Sequence, residues 1–288
     1  MSRFAIVIDG TAALPQDLAQ TYDVRWLPLY VILNDQRFVQ GKELSTEEFY
    51  ERIKARAVIP ETSQPTIQDS LDVYDAAIGD GHRELLVITV ATELSGTYSV
   101  ASTTAQQIGP DRARIEVVDS RSLAGGISLI ATAVARLRAR GGSFDEAVAL
   151  ARAMAGKVQI LAAADTLEYL RRSGRVSGGA ALFGTLLSVK PILEVKDGVV
   201  SPADRVRTRE KAIARLKELI AERTPDGSRI HACVLHTNEP GRARALGDWV
   251  QERYHCVEYF LVEAGPVIGA RAGPGVVGLC WYPEEAAT

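Results

Sequence analysis

The chain has 288 residues, of which 47% are apolar and 24% charged, with a formal net charge of −3. That length and composition supply ample core for two domains or one large one. Charge this close to neutral argues against a nucleic-acid binder driven by phosphate attraction.

The N-terminal FAIVID (4–9) is a short continuous apolar run, as expected of a strand covered on both faces. It is too short for a signal peptide's apolar region or for a spanning helix of about 20 residues. The expectation is therefore a cytoplasmic chain with no stable membrane insertion. LPQDLAQTY (14–22) has helical spacing with Pro15 near its start. VRWLPLYVIL (24–33) and QRFV (36–39) flank Asn34-Asp35, which predicts a hairpin insertion over about 24–40. STEEFYERIKAR (45–56) opens with Ser45 and Glu48 at capping-box spacing. VIPETSQP (58–65) reads as a loop, and 66–81 as a helix ended by glycines. ELLVITV (84–90) and RIEVVDS (114–120) read as two more buried strands, each followed by a helix. Alternating strands and helices imply a parallel sheet with right-handed crossovers.

Past residue 143 the pattern changes. Ser143 and Glu146 form another capping-box pattern. PILEVKDGVVSP (191–202) reads as a hairpin turned at Asp197-Gly198, and further βα units follow to the C-terminus. The fold expected is α/β in two domains: 1–158, a three-layer domain on a parallel sheet with the hairpin insertion, and 159–288, an α/β domain with a mixed sheet. Cys233, Cys256 and Cys280 lie far apart without CxxC spacing, against a disulfide framework or a zinc site and in keeping with a reducing cytosol. The charged helix expected over 207–223 reads as a solvated face.

Ligands of open α/β sheets sit at the carboxyl ends of the strands. Here those ends carry Asp9-Gly10-Thr11, then Thr92 through Thr97, then Asp119-Ser120. Ser, Thr and Asp are ordinary helix caps, and Asp9 and Asp119 suit a structural role in bonding loop N–H groups. Thr62, Ser63 and Ser95 offer more hydroxyls than one cap needs. Gly96 beside Ser95 admits close approach of a ligand to the backbone, and a helix start with free N–H groups seats an anion. Ser95 does not sit in GxSxG, since Glu93 and Thr97 flank it at two positions, and no motif ties it to any of His82, His231, His236 or His255. No GxxxxGK[ST] loop is present, and the glycine-rich runs near 178–184 and 265–278 begin no convincing dinucleotide-binding unit.

Taken together, six segments resemble the DegV family in order along the whole chain: VIDGTAAL, TSQP (62–65), LSGTY (94–98), VVDSRSLAGG (117–126), LEYLRRSGRVS (167–177) and GPVIGARAGPG (265–275). The resemblance implies a two-domain protein that encloses one long-chain fatty acid in a tunnel between its domains. It implies a carboxylate held by Thr62, Ser63 and Ser95, beside Gly96, and no catalysis or cofactor of its own. Some members of that family present the acid to a separate fatty acid kinase for phospholipid synthesis, so such a kinase is an expected partner. Burying roughly 14 methylenes is worth on the order of 10 kcal/mol gross, against about 1.5–3 kcal/mol for each hydrogen bond to the charge. The tail would supply affinity and the hydroxyls orientation. Candidate tunnel walls are 127–135, 182–187 and 266–269, which includes Ile268. Arg175 and Thr97 are further candidates for the pocket or a partner surface.

Two places depart from the family pattern. Asp9-Gly10 stands where Asp-Ser is usual. The last loop usually reads G-x-H-x-G-P-G, and here Arg271 takes the histidine's place. Arginine is always charged and grips a carboxylate with two parallel bonds, so Arg271 is expected to pair with the bound acid. Two other function classes stay open: an enzyme acting on a small carboxylate or phosphate through Ser95 or Asp119, and a sensor whose lipid occupancy governs an interaction.

Overall fold

A strand covered by helices on both faces has no side left for polar residues. Ala5–Asp9 (β1) is such a strand, buried along its whole length. The computed structural model describes residues 4–54, 60–175 and 189–287. β1 lies between Val24–Leu27 (β2) and Glu84–Thr89 (β6), with Arg114–Asp119 (β7) at the edge, all parallel. Ala5 and Val7 face the helices Ile67–Gly79 (α3) and Thr97–Ile108 (α4). Ile6 and Ile8 face the opposite way, toward Gly125–Ala139 (α5).

A second, six-stranded mixed sheet has the order β10-β9-β8-β13-β11-β12. Its strands are Gln159–Ala163 (β8), Lys190–Lys196 (β9), Val199–Val206 (β10), Arg229–His236 (β11), His255–Glu263 (β12) and Val277–Pro283 (β13). β13 runs antiparallel between β8 and β11. The period of two is plain in β11. Ala232 and Val234 pack toward the helices Arg209–Arg223 and Pro240–Arg253, while Cys233 and Leu235 pack toward α5.

α5 is the joint of the molecule. Gly125 through Ala135 are all buried, and the helix touches β1 and β6 on one side and β11 and β13 on the other. One apolar core therefore runs through both sheets. The glycine pair at its start is required by space. A Cβ at Gly125 would lie 2.5 Å from the Cys233 sulfur, and one at Gly126 would run into the Ser122 hydroxyl.

The hairpin expected over 24–40 is shorter. Val24–Leu27 joins the parallel sheet beside β1, Pro28 interrupts the run, and the hairpin is Tyr30–Leu33 (β3) with Gln36–Val39 (β4). Asn34 and Asp35 turn it with φ of 48° and 62°, the primed geometry that suits the strand twist. Glu61–Ser63 (β5), expected as loop, adds to the other edge of β3. The capping box at Ser143 and Glu146 forms in both directions. At Ser45 only half forms: its hydroxyl accepts from the Glu48 N–H, while the Glu48 carboxylate turns to Arg52. Among the described residues, no helix is long and apolar enough to cross a membrane.

Candidate functional site

The loops at the carboxyl ends of the parallel strands are held by two buried or half-buried carboxylates. Asp9 accepts from the Thr11 N–H at 2.8 Å, from the Thr11 hydroxyl, and from the Val90 N–H at 2.5 Å, which ties the end of β1 to the end of β6. Burial pushes its carboxyl pKa up, against those donors. Asp119 accepts from the Arg121 N–H at 2.8 Å and from the Thr92 hydroxyl at 2.9 Å. Both therefore brace loops, and Asp119 lines neither of the cavities described below.

Those loops open onto a chamber of about 210 Å³. Its walls come from the loops beyond the parallel sheet and from strands of the mixed one: Val90 and Leu94 after β6, Leu123 and Ala124 before α5, Ile160 and Ala162 of β8, Leu193 and Val195 of β9, Val200 of β10, and Leu235 of β11. Ala124 sits at φ +48°, ψ −122°, a conformation L-residues rarely take. Its polar lining is Thr62, Gln64, Ser95, Arg175 and Arg271, with Thr11 and with Glu194, whose carboxylate pairs with Arg223. Thr62, Arg175 and Arg271 also line a second, polar space of about 940 Å³, together with Glu61, Tyr169, Arg172 and Ser173. These three residues form the neck between an apolar chamber and a polar vestibule.

The neck and the chamber end beside it are assembled from four elements. Thr62 lies in the middle of β5. Successive side chains of a strand point to opposite faces, so Thr62 and Ser63 cannot both face the chamber. Thr62 does, and the Ser63 hydroxyl donates to the Gln64 carbonyl at 3.1 Å, away from the chamber lining. Ser95 precedes α4, whose N-cap is Gly96. The Ser95 hydroxyl is 2.9 Å from the Thr97 hydroxyl and accepts from the Thr97 N–H at 3.3 Å. Thr97 is fully buried behind it and does not line the chamber. Gly96 lies against the Gln64 amide, where a Cβ would collide with it.

Arg271 comes from the helix Pro266–Ala272 and donates to the Thr62 hydroxyl and, at 3.4 Å, to the Thr62 carbonyl. Arg175 follows the helix Glu168–Ser173 and donates to the Leu94 carbonyl at 3.4 Å and to the Ser173 carbonyl. Among the described residues neither guanidinium has a carboxylate within ion-pair distance. Burial, then repulsion from Arg175, pull the Arg271 pKa down to about 10, with Glu61 opposing. An anion at the neck would relieve both costs.

The chamber lining thus brings together Thr62, Ser95, Gly96, Arg175, Ile268 and Arg271. It leaves Ser63 and Thr97 outside. Of the expected tunnel walls, Val267 and Ile268 line the chamber, residues 182–187 lie outside the described residues, and 127–135 do not line it because α5 is enclosed by both sheets. Gln64 was available in the TSQP segment, but Leu193, Val195 and Leu235 carry no signal that separates a chamber wall from ordinary core. Among the described residues no histidine lines either space, and no group of three His, Cys, Asp or Glu is placed to hold a metal ion.

A family model described as an uncharacterised protein of the DegV family matches residues 3–284. The chain is 36% identical over 281 residues to the DegV domain-containing protein SCO2569 of Streptomyces coelicolor, covering 97% of this chain and 98% of that one. It is 31% identical over 278 residues to Protein DegV of Bacillus subtilis, covering 96% and 98%. Among solved structures, a DegV family protein from Thermus thermophilus, reported for its fatty acid binding, superposes with a TM-score of 0.90 at 30% identity, covering 98% of this chain and 99% of that one. DegV of Bacillus subtilis, described as a fatty acid binding protein, superposes with a TM-score of 0.89 at 30% identity, covering 99% and 100%.

Proposed function

The chain belongs to the DegV family, and from that premise we propose that it binds one long-chain fatty acid. The tail occupies the chamber between the two sheets, and the carboxylate lies at the neck against Thr62, Ser95 and Arg271. The observation that carries this reading is the chamber itself: mostly apolar walls from the mixed sheet and the loops beyond the parallel one, with Thr62, Ser95, Arg175 and Arg271 in the same lining. Each buried methylene contributes about 0.8 kcal/mol, so a long tail dominates the affinity. A hydrogen bond to the charged head adds about 1.5–3 kcal/mol and fixes which end faces out. The fatty-acid binding of the Thermus thermophilus and Bacillus subtilis proteins supports the same assignment.

The role that fits is a carrier that hands its acid to a separate fatty acid kinase. The head group faces a wide polar vestibule, through which a partner reaches it without opening the chamber. Ser95 has a hydroxyl, not a general base, as its hydrogen-bond partner, which favours a seat for an anion over a nucleophile.

Denaturing extraction of the purified protein followed by mass spectrometry tests the reading. One fatty acid per chain is expected. Protein that carries no fatty acid and does not take up a fluorescent analogue would refute it.

A further inference from the structure

We infer that Gln40 is a positioning residue for the head group: its side-chain amide ties the end of β1 to the start of the helix Pro266–Ala272 and so sets where Arg271 meets the bound carboxylate. The inference rests on the fatty-acid reading and adds to it a residue that the motifs at the neck do not contain.

The argument starts from register. Thr62 and Ser95 belong to segments early in the chain and Arg271 to one near its end. The three reach a single carboxylate only if the helix Pro266–Ala272 is held in place against β5. A helix leaves its first N–H groups without intrahelical partners. Pro266 has none to give, so Val267 offers the first one. The Gln40 Oε1 accepts it at 2.6 Å, and the Gln40 Nε2 donates to the Gly10 carbonyl. One amide thus answers a donor at the start of the helix and an acceptor just past β1, and the reversed amide would answer neither. The backbone of Gln40 is fixed as well, its N–H donating to the Leu29 carbonyl at 3.0 Å.

The second observation is fit. Gln40 lines neither the chamber nor the vestibule, whereas Thr11, Leu29 and Val267, which it holds or adjoins, all line the chamber. It therefore acts on a ligand only through what it holds. A Cβ at Gly265 would lie 2.8 Å from the Gln40 Cδ, so the entry to the helix closes on the amide only with glycine there. A Cβ at Gly10 would lie 3.2 Å from the Leu29 backbone nitrogen. The absent side chain at Gly10, where the family pattern has serine, lets that carbonyl and Leu29 share one partner. Helical side chains lean toward the N-terminus, and Val267 and Arg271 are one turn apart on one face. The Arg271 guanidinium therefore lies over the turn that Gln40 holds. The Thr237 hydroxyl holds the far end at the Gly273 carbonyl, 2.7 Å away, so a helix without Gln40 stays anchored but free to tilt.

Displacement of a bound fluorescent fatty acid by hexadecanoate and by hexadecan-1-ol, the same tail without a charge, tests this. Wild type should prefer the acid. In Gln40→Met, which keeps the length and loses both hydrogen bonds, affinity for the acid should fall about tenfold and that for the alcohol less than about twofold. Gln40→Asn, whose amide is too short to span both partners, should give the same pattern, and it decides the matter if Gln40→Met fails to fold by circular dichroism. In an Arg271→Gln background, Gln40→Met should cost the acid little more. Equal losses for acid and alcohol would make Gln40 a support of the chamber wall alone. A full tenfold loss on top of Arg271→Gln would show that it does not act through the guanidinium. Either result overturns the proposal, as does failure of both Gln40 variants to fold, which would make the residue purely structural. If wild type binds neither ligand, the fatty-acid reading falls and the proposal with it. If wild type prefers the acid and both Gln40 variants match it, only the role of Gln40 is lost.

Discussion

The chamber and the vestibule meet at Thr62, Arg175 and Arg271 and are otherwise built from opposite materials. The chamber takes its walls from strands of the mixed sheet, with Leu193, Val195, Leu235 and Ala162 around it, and from the loops beyond the parallel sheet, with Val90, Leu94 and Leu123. The vestibule takes its lining from β5 and from short helices and the turns beside them, and is rich in charge and hydroxyls. The difference separates two jobs. Apolar area scales with the length of a tail and acts without direction. Fixed donors act at one point and set orientation.

The strongest way to break that division is to fill the chamber. Ala162→Trp, checked for folding by circular dichroism, places an indole where the tail should lie. It should weaken fatty-acid binding by about 100-fold or more, as expected from losing four or more buried methylenes. Unchanged affinity would move the tail elsewhere.

The next largest effect concerns charge at the neck. The protonated Arg271 grips the anion, and its pKa in the free protein is drawn down to about 10 by burial and by Arg175. Affinity for hexadecanoate should therefore be full below about pH 10 and fall about tenfold as pH rises above it. In Arg271→Gln the fall should be absent and the affinity already low. A titration that leaves wild type and variant parallel would show that Arg271 does not touch the head group.

Smaller still is the loss of one hydroxyl. Ser95→Ala should cost about 1.5 kcal/mol, roughly tenfold and the low end for a hydrogen bond to a charge, because Thr62 and Arg271 still hold the head and the chamber still holds the tail. A loss rivalling that of Ala162→Trp would contradict the division of roles. The smallest effect sharpens the geometry of β5. Ser63→Ala should change affinity less than about twofold, since the hydroxyl bonds the Gln64 carbonyl outside the chamber. An effect as large as that of Thr62→Val would mean that β5 presents its other face.

Part of this was legible along the chain. The buried strands β1 and β6 read as unbroken apolar runs, the Ser143 capping box formed, and Asp197 and Gly198 adopt the positive φ expected of their turn, at 53° and 82°. Thr62, Ser95 and Arg271 stood out by residue type and by family pattern before any contact between them was known. Val24–Leu27 could not be assigned from its own residues, because an apolar run serves a hairpin and a parallel strand equally well. Glu61–Ser63 is three residues long, too short to carry a period. α5 looked like a tunnel wall because it is apolar all round, and the second sheet, not a ligand, covers that surface.

The sequence by itself determined the elements, their caps and turns, and the few residues able to hold an anion. Those signals act between residues close along the chain, through period, hydrogen bonds and backbone freedom. Only the tertiary structure decided that two sheets share one helix, that a chamber is left beside it, and that Arg175 and Arg271 line that chamber together with no carboxylate paired to either among the described residues. An empty volume and an unmet charge depend on what many distant residues fail to fill or neutralise, and no single residue carries that information.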